Sequence, residues 1–268
     1  MIVAEIESKS IISKTGIPGA DYVINPYVGC IHSCIFCYAR FMKRFTGHKE
    51  EWGQFLDVKV NAPNLIPQKT SKYQGKHIFL SSVTDPYLPL EREYKLTRQI
   101  IHKLIPLKPS LGILTKSDLV LRDLDLIKQF EDVEVGFSFS SLDEKLRRMI
   151  EPGASPIQKR LKALKEVHNI GIKTYVFISP ILPFLTNWKE VIQKTKSYTD
   201  YFMFENLNIT GTVWGCVKHW LEENYPDLMQ KYREIYFTDN DYWDLMEGEI
   251  VDFCKEEGFE CRMHFHHQ

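Results

Sequence analysis

Short apolar runs rich in β-branched and aromatic residues alternate along this chain with stretches whose apolar positions recur every three or four residues. "HIFLSS" (His77–Ser82) is followed by the helical pattern "EREYKLTRQIIHKLI", and "SLGILTKS" (Ser110–Ser117) by "LVLRDLDLIKQF". "VEVGFSFSS" (Val133–Ser141) leads into helix-like sequence from Leu142 through Val167, and "IKTYVFISPIL" into a helix around Trp188–Tyr198. "DYFMFENLNI" precedes helices around Val213–Asn224, Leu228–Tyr236 and Tyr242–Glu257, and "ECRMHFHH" alternates as a last strand would. Strands alternating with helices predict βαβ units and a parallel sheet. With "DYVINP" as the first strand there are about six repeats plus a terminal strand, which suits one closed or partly closed barrel.

In such a barrel the chemistry sits at the C-terminal ends of the strands. Those ends carry Cys30–Cys37, Ser81–Asp85, Thr115–Lys116, Ser138–Ser141, Ser179–Pro183 and Glu205–Asn208. Ordinary turn residues would fill the same places, but here the polar ones recur at strand end after strand end.

The 268 residues are 44% apolar and 26% charged, an ordinary composition for a soluble globular protein. No apolar run reaches the length of a membrane span, and the N-terminal stretch carries a charge where a signal peptide needs its apolar segment. A cytoplasmic protein with no membrane partner is therefore expected, and a monomer. The net charge of −1 gives no global attraction to nucleic acid. The local basic groups Arg40, Lys43 and Arg44, and Lys159, Arg160 and Lys162, read first as solvated helix faces.

Composition changes the picture only at the cysteines. Three of the six, Cys30, Cys34 and Cys37, stand together in "NPYVGCIHSCIFCYARF", while Cys216, Cys254 and Cys261 are scattered and read as buried thiols. A long chain with few cysteines is not a disulfide scaffold, so the cluster points to a metal. Structural zinc and ordinary cubane clusters take four protein ligands. Three cysteines leave one position open, the mark of a reactive centre. Three irons of a [4Fe–4S] cluster can be held, with the fourth free for a small molecule offering an amine and a carboxylate, such as S-adenosylmethionine. The alternative is a non-enzymatic zinc-binding adaptor closed by Cys30, His32, Cys34 and Cys37.

Cys30-x3-Cys34-x-Phe36-Cys37 after a first strand resembles the signature of the radical S-adenosylmethionine superfamily. "NPYVGCIHSCIFCYAR", "SSVTDPYLPLEREYKLTR", "LTKSDLVLRDLDLI" and "SFSSLDEKLRRMIEPGASP" resemble its spore photoproduct lyase-like branch, whose members are often described as DNA repair photolyases. The resemblance implies an α/β fold, a partial (β/α)6 TIM-like barrel over about 21–208. A C-terminal helical extension and terminal strand over about 209–268 would complete a single domain. It implies a [4Fe–4S] cluster on Cys30, Cys34 and Cys37, S-adenosylmethionine across the strand ends, and reduced flavodoxin or ferredoxin as electron donor. It further implies Phe36 and Tyr38 beside the cofactor, Ser81, Ser82 and Asp85 near its amino group, Lys116 at its carboxylate, and Ser138 and Ser140 at its ribose.

Two features qualify the resemblance. Lesion-splitting members use a cysteine near the end of the second strand as hydrogen-atom donor, where this chain has Ser81 and Ser82. A hydroxyl O–H bond is much stronger than a thiol S–H bond, which argues against that reaction; the substrate class stays open among nucleic acid, peptide and small metabolite. The tail "CRMHFHHQ" offers Cys261, His264, His266 and His267. Strand alternation would place His264 and His266 on one face and Cys261 on the other. His264, His266 and Glu205 are the candidate acid–base or orienting groups facing the substrate.

Overall fold

The computed structural model describes residues 1–266. In chain order its strands are β1 (Ile2–Ile6), β2 (Ile12–Lys14), β3 (Tyr22–Ile24), β4 (Tyr27–Val28), β5 (Phe55–Lys59) and β6 (His77–Leu80). There follow β7 (Ser110–Thr115), β8 (Val133–Ser138), β9 (Lys173–Ile181), β10 (Tyr201–Asn206) and β11 (Cys261–Met263). Eight of them form one sheet in the order β11-β10-β9-β8-β7-β6-β3-β2. Every neighbouring pair is parallel except β2–β3. The strands expected from the apolar runs are thus all present, in sequence order across the sheet. Among the described residues β11 does not pair with β2, so the barrel is open on one side.

Helices cross between the parallel strands, including Leu96–Leu104, Ile157–Asn169 and Trp188–Thr195. The face that the helices cover is apolar, while the opposite face also carries polar residues, as Glu134 and Ser138 of β8 and Glu205 of β10 show. Ile113, Phe137, Ile178 and Phe204, on four successive strands, are fully buried. Each contributes roughly 1.5–3 kcal/mol of burial to the fold. The extension consists of Val213–Asn224, Met229–Phe237 and Tyr242–Glu257, close to the expected bounds. No described helix is long and apolar enough to cross a membrane.

Three expectations need correction. The cysteine loop does not follow the first barrel strand directly. After β3 the chain makes β4, which joins a second sheet, β1-β5-β4, unseen in the apolar pattern. The helical stretch from Leu142 to Val167 is two helices, Glu144–Ile150 and Ile157–Asn169. Glu151 precedes Pro152 and is pushed out of the helical region, to φ −138 and ψ 58. The helix after β6 is likewise split between Tyr94 and Leu96 by Lys95, at φ 53.

Candidate active site

The cysteine loop is shaped by its own backbone and by segments distant in sequence. Ser33 N–H donates to the Cys30 carbonyl at 3.1 Å, and Cys37 N–H to that of Cys34 at 3.2 Å. Between them Ser33 takes a left-handed φ of 54. Ile35 N–H donates to the Ile150 carbonyl at 3.0 Å, and Gly153 N–H to that of His32 at 3.1 Å. Thr84 Oγ1 donates to the Gly29 carbonyl at 2.7 Å, and Arg40 to that of Cys34 at 3.1 Å. The loop is therefore a folded object, held in position by the "EPG" segment at 151–153.

Cys30 and Cys34 are buried and Cys37 is half-buried. Burial pushes all three thiols above their ordinary range, and each lies within electrostatic reach of another cysteine of the set. Thiolates here need positive charge nearby, which Lys116 begins to supply and a soft metal would complete. The donor set fits a cluster: three thiols, and no fourth cysteine in the loop. The zinc alternative needs His32 as its fourth ligand; that side chain is buried, with its Nδ1 3.4 Å from Asp85 Oδ2. Among the described residues no three Cys, His, Asp or Glu side chains converge to hold a single metal ion. A multi-iron cluster takes each thiolate on its own iron and needs no such convergence.

Above the loop the strand ends knit into one polar network. Asp85 Oδ1 accepts from Thr115 Oγ1 at 2.7 Å and from Tyr87 N–H at 2.8 Å, while Oδ2 accepts from Lys116 N–H at 2.8 Å. Asp85 thus braces the end of β7. Lys116 Nζ donates to Ser138 Oγ at 2.9 Å and lies 5.8 Å from the Phe36 ring centre. Burial opposes its charge, but Glu151, Cys34 and Asp85 outweigh that and hold its pKa above the ordinary lysine value. Ser138 and Ser140 both donate to the Ser179 carbonyl, at 3.3 and 2.8 Å. Ser140 Oγ also lies 2.8 Å from Glu151 Oε1. Glu151 and Arg160 form an ion pair at 3.1 Å, each no more than 1% exposed. Ser81 sits at φ 67, its hydroxyl buried without a partner among the described residues. Asn25 Nδ2 donates to Ser82 Oγ at 3.3 Å, and Tyr38 OH to the Ser82 carbonyl. Phe36, Lys116 and Ser138 therefore share one corner of the mouth; Ser81, Ser82 and Tyr38 share another.

Glu205 lies at the end of β10. Ser179 Oγ donates to its Oε2 at 2.5 Å, and His266 Nε2 stands 3.1 Å from its Oε1. That hydrogen bond raises the His266 pKa above its ordinary value. Asn206 clamps the tail in place, accepting from His266 N–H at 2.8 Å and donating to its carbonyl at 3.1 Å. His264 does not join the pair. Its ring meets Phe177 edge-on at 6.2 Å, and its Nε2 is buried without a partner. The two histidines follow β11 and still share one face, as strand alternation predicts: His264 meets Phe177 and His266 meets Glu205, while Phe265 between them packs on Trp243. His267 lies outside the described residues.

The short helix Tyr38–Phe45, directly after Cys37, exposes Tyr38, Phe41 and Phe45. The Arg44 guanidinium lies 5.4 Å from the Phe41 ring centre and 4.7 Å from that of Phe45, and pairs with no acid among the described residues. The basic group read as a solvated face is here interleaved with exposed aromatic rings. Sequence inspection did not single out Gly153, Glu151 or Asn25 as bracing residues. The signal available was only that they stand inside the quoted motifs "EPGASP" and "NPYVGC".

Three cysteines, two of them buried and one half-buried, thus stand together beside the strand ends of an open parallel barrel. A family model described as the Radical SAM superfamily matches residues 24–194, and the chain belongs to that superfamily. An uncharacterized protein of Methanocaldococcus jannaschii is 46% identical over 225 residues, covering 84% of each chain. A Radical SAM Nalpha-GlyT isomerase of Pseudomonas phage M6 is 26% identical over 160 residues, covering 59% of this chain and 32% of the other. Among solved structures, spore photoproduct lyase complexed with dinucleoside spore photoproduct superposes with a TM-score of 0.62 at 16% identity, over 88% of this chain and 79% of that one. SuiB of Streptococcus suis bound to S-adenosylmethionine superposes with a TM-score of 0.59 at 14% identity, over 91% and 50%. The two likenesses establish the partial-barrel fold. Superfamily membership establishes S-adenosylmethionine-dependent radical chemistry with an iron–sulfur cluster, and with it the need for an electron donor and a substrate.

Proposed function

We propose that the protein is a radical S-adenosylmethionine enzyme that modifies a base in nucleic acid, with a [4Fe–4S] cluster held by Cys30, Cys34 and Cys37. When bound, the cluster and S-adenosylmethionine supply one-electron cleavage of the S–C5′ bond and a 5′-deoxyadenosyl radical able to abstract hydrogen. The chain's own residues do the rest. Lys116 offers an ammonium suited to the cofactor's carboxylate. Ser138 and Ser140 offer hydroxyls to its ribose, Ser81 and Ser82 line the amino-group side, and Phe36 and Tyr38 flank the cofactor. Asp85 holds the β7 end so that Lys116 is aimed. The Glu205–His266 pair, steadied by Ser179, is placed to orient a substrate or move a proton at His266 Nε2. His264, half-buried and edge-on to Phe177, is a packing residue in this reading. Reduced flavodoxin or ferredoxin serves as electron donor.

The observation that carries the substrate class is the exposed Phe41–Arg44–Phe45 face beside the cysteine loop. Exposed rings stack on unpaired bases and a free guanidinium takes a phosphate, a combination that binds single strands without needing a basic protein overall. The dinucleoside spore photoproduct named with one structural neighbour agrees with it, whereas SuiB is named with a precursor peptide. Serines at 81 and 82 argue for a modification other than lesion splitting.

The test is anaerobic. Protein reconstituted with iron and sulfide, given S-adenosylmethionine and dithionite, should release 5′-deoxyadenosine, and the Cys30/Cys34/Cys37→Ala variant should release none. Deuterium carried into 5′-deoxyadenosine from deuterated single-stranded DNA or RNA identifies the substrate. Transfer from peptide pools and none from either nucleic acid would replace the substrate assignment while leaving the chemistry intact.

A further inference from the structure

His48 lies in the connector between the helix Tyr38–Phe45 and β5, and both of its ring nitrogens face carboxylates. Its Nε2 stands 2.7 Å from Asp57 Oδ1, and its Nδ1 3.2 Å from Glu50 Oε2. An ionised carboxylate only accepts hydrogen bonds, so serving both requires a proton on each nitrogen, which is the imidazolium. The surroundings fix the ring in that place. The His48 and Asp57 side chains are only 15% and 11% exposed, and the imidazole stacks on the fully buried Phe55 ring at 4.2 Å. The connector in turn holds the end of the helix. Thr46 N–H and Oγ1 both donate to the Lys43 carbonyl, at 3.0 and 2.8 Å, and His48 N–H donates to Thr46 Oγ1 at 3.2 Å. Lys43 Nζ donates to the Lys49 carbonyl at 3.0 Å. The helix that carries Phe41, Arg44 and Phe45 therefore hangs between Cys37 at one end and the His48 clamp at the other.

We propose that His48 is a positioning residue: as an imidazolium clamped between Asp57 and Glu50 it pins the end of the aromatic helix to the small sheet, presenting the Phe41–Arg44–Phe45 face at neutral pH and releasing it at alkaline pH. The inference rests on the reading of that face as the nucleic-acid contact. Each element around the ring has been given its charge. β5 brings Asp57 and the connector brings Glu50, while the helix brings Lys43, whose ammonium is turned to the Lys49 carbonyl. β1 and β4 place only Ala4 and Val28 opposite Asp57, so neither competes for it. The hydrogen bond with Asp57, helped by Glu50, raises the His48 pKa above its ordinary value. The clamp is therefore complete below the ordinary histidine value and is lost as pH rises through the raised one. Losing the proton leaves one carboxylate facing a nitrogen lone pair, which repels it.

The experiment compares wild type with His48→Gln, both reconstituted anaerobically, from about pH 6 to about pH 9. Affinity for a single-stranded DNA oligonucleotide is read by fluorescence anisotropy, and amide hydrogen exchange over 41–50 by mass spectrometry. Glutamine offers one donor to Asp57 and does not titrate. The expected result is a wild-type affinity that falls by about tenfold across the range, the worth of one hydrogen bond to a charged group. Exchange over 41–50 should quicken with pH more in wild type than in H48Q, whose affinity should stay level. A merely structural His48 would lower the affinity of the variant equally at both ends of the range. Parallel pH profiles for wild type and H48Q overturn the proposal. Should H48Q not fold, Glu50→Gln takes its place: removing one carboxylate should move the fall in affinity to lower pH, and an unmoved profile overturns the proposal. Wild type that binds no single-stranded DNA at any pH would overturn the nucleic-acid reading, and hydrogen exchange then decides the clamp alone. Exchange that rises with pH in wild type beyond that of H48Q supports it, and parallel exchange overturns it.

Discussion

Gly153→Ala is the sharpest test of how the cysteine loop is held. The glycine lies more than a hundred residues after the cysteines and touches none of them. A Cβ built on it would stand 2.2 Å from the Ile31 carbonyl oxygen and 2.8 Å from His32 Cα. Ordinary contact begins at 3.4 Å, so loop and segment must part by more than an ångström. Both neighbours are backbone and cannot rotate aside. The Gly153 φ is not left-handed, and alanine keeps the N–H that donates to His32, so sterics alone are changed. Overpacking of this kind costs about 1–3 kcal/mol. At this chain length that corresponds to a fall in melting temperature of roughly 2–4 °C per kcal/mol. Displacing the cysteine loop from the segment that seats it should also reduce iron retention. Gly16→Ala, with nothing within 4 Å, is the control. The measurements are the thermal melt of the apoprotein and iron per chain after anaerobic reconstitution and desalting. A G153A protein that melts and loads like wild type would show that the "EPG" segment does not hold the loop, and the account of its shape would be wrong.

Other outcomes follow from the same geometry. Glu151→Gln leaves the buried Arg160 charge without its partner and should cost about 3–5 kcal/mol, read by denaturant unfolding; a double change to methionine at 151 and 160 should recover most of that. Lys116→Met should weaken S-adenosylmethionine binding by about 10- to 100-fold, the worth of one charge-assisted hydrogen bond, with little change in iron content; unaltered affinity in equilibrium dialysis would remove Lys116 from the cofactor site. His266 has a raised pKa, so its pairing with Glu205 stabilises the folded tail at pH below the ordinary histidine value and is lost as pH rises through its own higher one. Melting curves of wild type and H266Q should therefore differ below about pH 6.5 and converge at alkaline pH. Phe41→Ala with Phe45→Ala should lower single-stranded DNA affinity by about tenfold or more in fluorescence anisotropy, without affecting S-adenosylmethionine cleavage.

The parallel strands were legible as short runs dense in β-branched and aromatic residues. Val133–Ser138 and Tyr201–Asn206 could hardly be anything else. The cysteine spacing was legible because few structures demand three thiols so close together. The sheet β1-β5-β4 was not, because β1 is short and largely exposed and its pairing with Phe55–Lys59 is non-local. Nor was the bracing of the loop, which depends on contacts such as Ile35 with Ile150 that no local pattern encodes. Glu205 and His266 could each be nominated from a strand end. Only the parallel register of Phe202 with Cys261 and the Asn206 clamp bring them into contact, while turning His264 towards Phe177.

The distance in sequence between the cysteines and the segment that shapes their loop bears on how the protein matures. A ribosome delivers Cys30, Cys34 and Cys37 well before it has made Ile150 and Gly153, the residues that hold their backbone. Until then the three thiols belong to an unshaped, solvent-open peptide, reactive towards oxidants and ready to take whatever soft metal is at hand. On the proposed assignment of the cluster to these cysteines, selective loading comes after β7, β8 and the "EPG" turn have assembled. A biosynthetic donor of iron and sulfur would meet a folded barrel rather than a nascent chain, and would deliver its cargo through the open mouth.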